Sequence, residues 1–157
     1  MKNIFNLPLV LNSGVLGNLV LEEYEVASKE YYHYSHDAAV CGKHTARLII
    51  KAQDWKGFDA ERLLRHAEER YRILSTQALN ILKSGKPILE KAFSQFFPDG
   101  PYFSEPHFYS CLTLSHIKIF EGDRDELIFE TNKDLVCFDL NVQIDSANTL
   151  VAAWFDG

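Results

Sequence analysis

The chain has no cysteine framework. Its three cysteines, Cys41, Cys111 and Cys137, form no C-x-x-C pair and are odd in number, which excludes a disulfide scaffold and favours reduced thiols in a cytoplasmic protein. Long apolar runs are missing too. The stretch over residues 7–21 is broken by Asn12, Ser13, Gly14, Gly17 and Asn18, well short of the roughly 18 apolar residues that a membrane crossing needs. The first eleven residues are interrupted by Asn3, Asn6 and Pro8 with no small-residue cleavage site after them, so they read as a first strand and not a signal peptide. Basic charge is in short supply. Sixteen Lys and Arg against 22 Asp and Glu leave a net charge of -6, the wrong sign for gripping phosphate, so neither nucleic acid nor membrane is an expected partner.

Signatures of known chemistry are likewise lacking. There is no G-x-S-x-G, no H-E-x-x-H and no calcium loop, and Asp123-Arg124-Asp125-Glu126 reads as a hairpin tip. Gly14-Val15-Leu16-Gly17 lacks the Lys-Ser/Thr ending of a phosphate loop and reads as a turn.

What is present is a core. Apolar residues at 46% and aromatics at 13% argue against disorder, and 157 residues without a linker or low-complexity break suit one domain over residues 1–157. Three strands are expected near residues 9–11, 18–26 and 46–52. Asp59 then reads as an N-cap, with Phe58 and Leu63 as a hydrophobic staple and Leu63, Ala67, Tyr71, Leu74, Ala78 and Leu82 as the buried stripe of a long helix. Gly85 is expected to end it in a left-handed conformation, and Pro87 to open a second helix carrying Ile88, Leu89, Ala92, Phe93, Phe96 and Phe97. The chain around Glu61, Glu68, Arg70 and Arg72 mixes both charge signs at helical spacing, as a solvated helix face does.

From residue 111 onward the period changes to two. Val136, Phe138, Leu140, Val142 and Ile144 alternate with Cys137, Asp139, Asn141 and Gln143, placing one row on a core and one toward water. Strands near 116–120, 126–130 and 149–155 flank it across short polar turns. The expected fold class is α+β: N-terminal strands, two central helices and a C-terminal antiparallel four-strand meander, with the helices on one sheet face. Two small sheets sandwiching the helix pair is the alternative arrangement.

Ala46 to Ile50 leading into the Asp59 helix, Leu114-Ser115-His116-Ile117-Lys118-Ile119-Phe120-Glu121-Gly122, Leu127-Ile128-Phe129, the strand from Val136 to Ile144 and the closing Trp154-Phe155-Asp156-Gly157 together resemble the bacterial families called domains of unknown function 2262 and 2004. The resemblance covers the last two thirds of the chain and consists of apolar patterns and turns. It implies an α+β domain without assigned catalytic residues, some of whose related small bacterial domains are suspected antitoxin or immunity partners.

Residues 30–44 stand outside that pattern and hold the densest group of metal ligands. His33, His36, Cys41 and His44, with Asp37 nearby, offer the imidazole, thiolate and carboxylate that zinc accepts, although strand alternation would send His33 and His36 to opposite faces. A Cys41 nucleophile with His36 or His44 as its base is a further candidate, as are His107 and His116 beside their aromatic neighbours. Aromatic residues form two loop groups, Tyr31, Tyr32 and Tyr34, and Tyr102, Phe103, Phe108 and Tyr109. Tyrosine suits interfaces because a rigid apolar body carries a polar end. The leading expectation is a non-enzymatic module that binds a protein partner through these rings; the alternative is a small metal-dependent enzyme built on His33, His36, Cys41 and His44.

Overall fold

The computed structural model describes residues 3–41, 44–100, 103–131 and 138–157. Its strands are β1 (Val10–Ser13), β2 (Gly17–Val26), β3 (Lys29–Cys41), β4 (His44–Lys51), β5 (Leu112–Phe120), β6 (Asp125–Thr131), β7 (Asp139–Ile144) and β8 (Leu150–Asp156). Its helices α1 (Ala60–Ser84), α2 (Lys86–Phe96) and α3 (Glu105–Ser110) fall between β4 and β5. The protein is α+β, but all eight strands join one sheet in chain order, so the separate-sheet alternative is set aside. Antiparallel pairing runs throughout the sheet, in the N-terminal half as in the C-terminal meander, and only β4 and β5 run parallel. That exception follows from connectivity, because two adjacent parallel strands require a long crossover, here the three helices.

Helix α1 starts where Asp59, in extended backbone, accepts a hydrogen bond from the Arg62 amide at 3.1 Å. Leu63, Ala67, Tyr71, Leu74, Ala78 and Leu82 are all buried, and half-buried Phe58, just before the helix, packs against the core that they join, with its ring against Tyr34 and Trp55. Each large aliphatic side chain removed from water in this way contributes about 1.5–3 kcal/mol. The end of α1 differs from expectation. Gly85 has φ -98°, outside the left-handed region; glycine is needed because a Cβ there would collide with the Leu150 side chain. The missing side chain lets the α1–α2 corner sit directly on β8. Pro87 lies in the first turn of α2, where its absent N–H breaks no helix bond.

The helices cover one sheet face. Phe93 and Phe96 of α2 and Phe97 just after it gather around Phe155 of β8, and Phe108 of α3 joins them. Alternate strand positions, among them Leu19, Leu21, Tyr34, Leu48, Ile50, Ile117, Ile119, Leu127, Leu140 and Val142, complete this core. No helix among the described residues is long and apolar enough to cross a membrane.

Two segments expected as connectors are regular. Residues 29–41 form β3, the longest strand, and residues 105–110 form α3. In β7 the described strand begins at Asp139, so Val136 and Cys137 lie outside the described residues.

Candidate functional site

Residues facing each other in strand register project to the same side of a sheet. With Leu21, Tyr34, Ile50 and Ile119 on the helix side, the intervening positions form a second face that carries no helix among the described residues. This open face divides by charge. Strands β4 and β5 contribute Arg47, Lys51, His116 and Lys118; strands β6 to β8 contribute Glu126, Glu130, Asp139 and Asp156.

On the basic half, His33 of β3 faces Glu22 of β2, with Nε2 2.5 Å from Oε2. The same carboxylate oxygen accepts from Arg47 at 2.8 Å, and Arg47 lies 3.3 Å from Asp37. Burial pushes the His33 pKa below its ordinary value, and Lys51 and Arg47 push the same way, outweighing the opposing pull of Glu22. Burial alone would raise Glu22, but hydrogen bonds from His33 and Ser35 and the charge of Arg47 hold its carboxyl below the usual range. Beside this network, the Lys51 ammonium donates to Tyr24 Oη and lies over the rings of Tyr24 and Phe120. Tyr24 in turn stacks on exposed Tyr31, ring centroids 5.4 Å apart.

On the acidic half, Glu130 faces Asp139 and Asp139 faces Asp156, giving one exposed carboxylate on each of three adjacent strands. Asn141 donates to Asp156 at 2.9 Å and faces Trp154, which is 37% exposed. No lysine or arginine of the described residues forms an ion pair with this row. Facing like charges are unfavourable in isolation, and the row is therefore suited to a cationic ligand.

The residues expected to ligate zinc are placed apart. His33 lies on the open face, while His36 lies on the helix side beside Gly17, where an added Cβ would meet the imidazole at 2.9 Å. Cys41 is buried against α1 with a hydrogen bond to Tyr71, and exposed His44 faces it across the β3–β4 turn. Only Cys41 and His44 are strand neighbours. Burial pushes the Cys41 thiol up, away from the thiolate form that nucleophilic attack or metal ligation uses. His107 contacts Cys111 at 3.8 Å, and His116 bonds Ser115 at 2.9 Å.

The aromatic expectation needs correction. Tyr32 and Tyr34 are 2% and 0% exposed and pack with Trp55 and Phe58, and Tyr34 Oη donates to the Pro8 carbonyl at 2.7 Å. Tyr109 is buried, and half-buried Phe103 packs on Phe93 and Phe108. Tyr102 lies outside the described residues. Tyr31 alone of the described group reaches the open face with substantial exposure, because strand alternation turns its neighbours Tyr32 and Tyr34 in different directions from Tyr31 and His33.

Sequence reasoning missed Lys51, Lys118, Glu130, Asp139, Trp154 and Asp156 as a surface. One signal for them was available: the polar row Asp139, Asn141 and Gln143 along β7 predicted a water-facing side, which strand pairing extends to its neighbours. Taken together, the face offers cation-binding carboxylates beside an indole on one half and anion-binding ammonium groups beside phenyl and phenol rings on the other. Set against family models, curated proteins and solved structures, the chain matches none of them.

Proposed function

We propose that this chain is a non-enzymatic interaction module that docks a Lys- and Arg-rich segment of a partner protein on the β6–β8 half of its open sheet face. One observation carries the reading: Glu130, Asp139 and Asp156 occupy facing exposed positions on three successive strands, alongside exposed Trp154. A cationic segment relieves the mutual repulsion of these carboxylates, and an arginine laid over the indole gains a cation–π contact. Tryptophan is also among the side chains that most often dominate binding at interfaces. The net charge of -6 adds long-range attraction for a basic partner and speeds encounter. The resemblance to bacterial domains of unknown function supplies the partner class, a second bacterial protein covered in the manner of an immunity or antitoxin pair.

The test uses intrinsic fluorescence, because the chain has only two tryptophans and Trp55 is packed in the aromatic core. Titration with an arginine-rich peptide is expected to change Trp154 emission saturably, with binding weakened by salt. A Trp154→Phe variant identifies the responding indole. Binding that persists unchanged after Asp139→Asn and Asp156→Asn are combined would sink the proposal.

A further inference from the structure

We propose that a depression on the β2–β5 half of the open face is a separate binding site for a small aromatic carboxylate, with Lys51 and Lys118 as its charge partners. The depression has a volume of about 240 Å³ and is lined by Tyr24, His33, Ile49, Lys51, Lys118 and Phe120. That is slightly below the roughly 300–1,000 Å³ of sites for drug-sized molecules, and it sets the scale at a single ring with a short head group.

The charge of this lining is opposite to that of the chain. Two lysines and no carboxylate line it among the described residues, although acidic residues outnumber basic ones in the sequence. Two acids border it: Glu22 is held by His33 of the lining and by Arg47, and Glu126, which faces Lys118 across β5–β6, accepts from Gln143 at 3.3 Å. The Lys118 side chain has no hydrogen-bond or ion-pair partner among the described residues. Beside the depression, the His116 pKa is lowered first by burial and then by the charges of Lys118 and Arg47, which outrank the opposing pull of Glu130 and Asp139.

The ring preference comes from the walls. Ile49 is buried at the base, and the Tyr24 and Phe120 rings stand on either side of the Lys51 ammonium, 5.0 and 5.6 Å from it. A lysine presents a compact charge with rotatable donors and not a planar fork, so the pair suits a carboxylate reached from two sides. Tyr24 Oη accepts from Lys51 and keeps its own proton to donate. The site lies on different strands from the acidic row and does not depend on the protein-docking reading.

The experiment titrates the intact protein with benzoate, with its neutral counterpart benzamide and with inorganic phosphate, following backbone amide resonances by NMR. Benzoate is expected to shift the Lys51, Lys118 and Phe120 resonances saturably, and benzamide to leave them in place. Lys118→Gln and Lys51→Met are each expected to weaken benzoate about tenfold, the scale of one charge-assisted hydrogen bond. If Lys51→Met lowers stability through its lost contact with Tyr24, Lys118→Gln decides the matter, since the Lys118 side chain holds no partner among the described residues. The Asp139→Asn and Asp156→Asn variant should bind benzoate as the parent does, which separates this site from the docking surface. Equal binding of benzoate and benzamide, saturable binding of phosphate alone, no saturable shift, or unchanged affinity in Lys118→Gln would each overturn the proposal.

Discussion

Arg70 and Asp125 meet inside the protein: Arg70 Nε donates to Asp125 Oδ2 at 2.6 Å, and both residues are more than nine-tenths removed from water. The guanidinium also donates to Asn148 Oδ1 at 2.5 Å and to the Asp145 carbonyl at 3.3 Å, while the second Asp125 oxygen accepts from the Phe120 amide at 3.1 Å. One α1 side chain thereby fixes the β5–β6 and β7–β8 turns, which set the register of the acidic strands. Burial pushes the Asp125 carboxyl up, and Arg70 opposes it.

Removing either partner strands a buried charge. Arg70→Met is expected to cost about 3–5 kcal/mol, as is usual when one member of a buried pair is deleted. Replacing both, with Asp125→Leu added, should recover part of that loss, because the remaining charge is then gone as well. Urea unfolding midpoints of the two variants measure the difference. A double variant less stable than Arg70→Met would show that the polar contacts to the turns, and not the ion pair, are what matters.

The buried tyrosine carries a second prediction. Tyr34→Ser removes a ring packed on Trp55 and Phe58 and the hydrogen bond to Pro8, and is expected to cost about 3–5 kcal/mol, as for large aromatic truncations in a core. Leu74→Ala, on the buried stripe of α1, should cost about 2–5 kcal/mol. Tyr31→Ser, on the open face, should stay within about 0.5 kcal/mol of the parent, as surface substitutions do. Thermal or urea denaturation checks all three, and equal effects at Tyr31 and Tyr34 would contradict the assignment of the two faces.

The contrast between those two tyrosines explains what was legible in the sequence. Helix α1 was readable because its leucines and alanines contrast with charged neighbours at helical spacing, and the C-terminal meander because Leu140, Val142 and Ile144 alternate with Asp139, Asn141 and Gln143. In β3 the same alternation is present, but tyrosine supplies Tyr31 on one face and Tyr32 and Tyr34 around it, while His33 and Ser35 are half-buried and buried. Amphipathic side chains on both faces erase the contrast that marks a strand. The parallel contact between β4 and β5 brings together residues about seventy positions apart, such as Arg47 and His116, and no local pattern encodes it. The acidic row is dispersed in the same way, over three strands that only pairing makes adjacent.

Stability should fall on mild acidification. His33 and His116 both have pKa values below their ordinary 6.5, so the unfolded chain takes up protons first as pH drops. Their contribution is fully present above 6.5 and is lost as pH falls through the lowered folded values. Glu22, held below its ordinary 4.5, extends the loss into the carboxylate range by the same sign. Melting temperatures between pH 7.5 and 5 should decline for the parent and decline less for a His33→Gln, His116→Gln variant. An identical slope in both would assign the acid sensitivity to other groups.

The acidic row predicts opposite effects on folding and binding. Facing like charges on adjacent strands cost roughly 0.2–1 kcal/mol per pair, and Glu130, Asp139 and Asp156 make two such pairs. Changing them to Glu130→Gln, Asp139→Asn and Asp156→Asn keeps their shape and leaves an oxygen at residue 156 to accept from Asn141. The triple variant is therefore expected to melt higher than the parent, most clearly at low ionic strength where repulsion is least screened. It should also bind an arginine-rich peptide less tightly. Differential scanning calorimetry at two salt concentrations, set beside the peptide titration, measures both quantities in one protein. A row retained only for folding would give a lower melting temperature on neutralisation, whereas a row selected for a cationic partner gives a more stable protein that has lost its ligand.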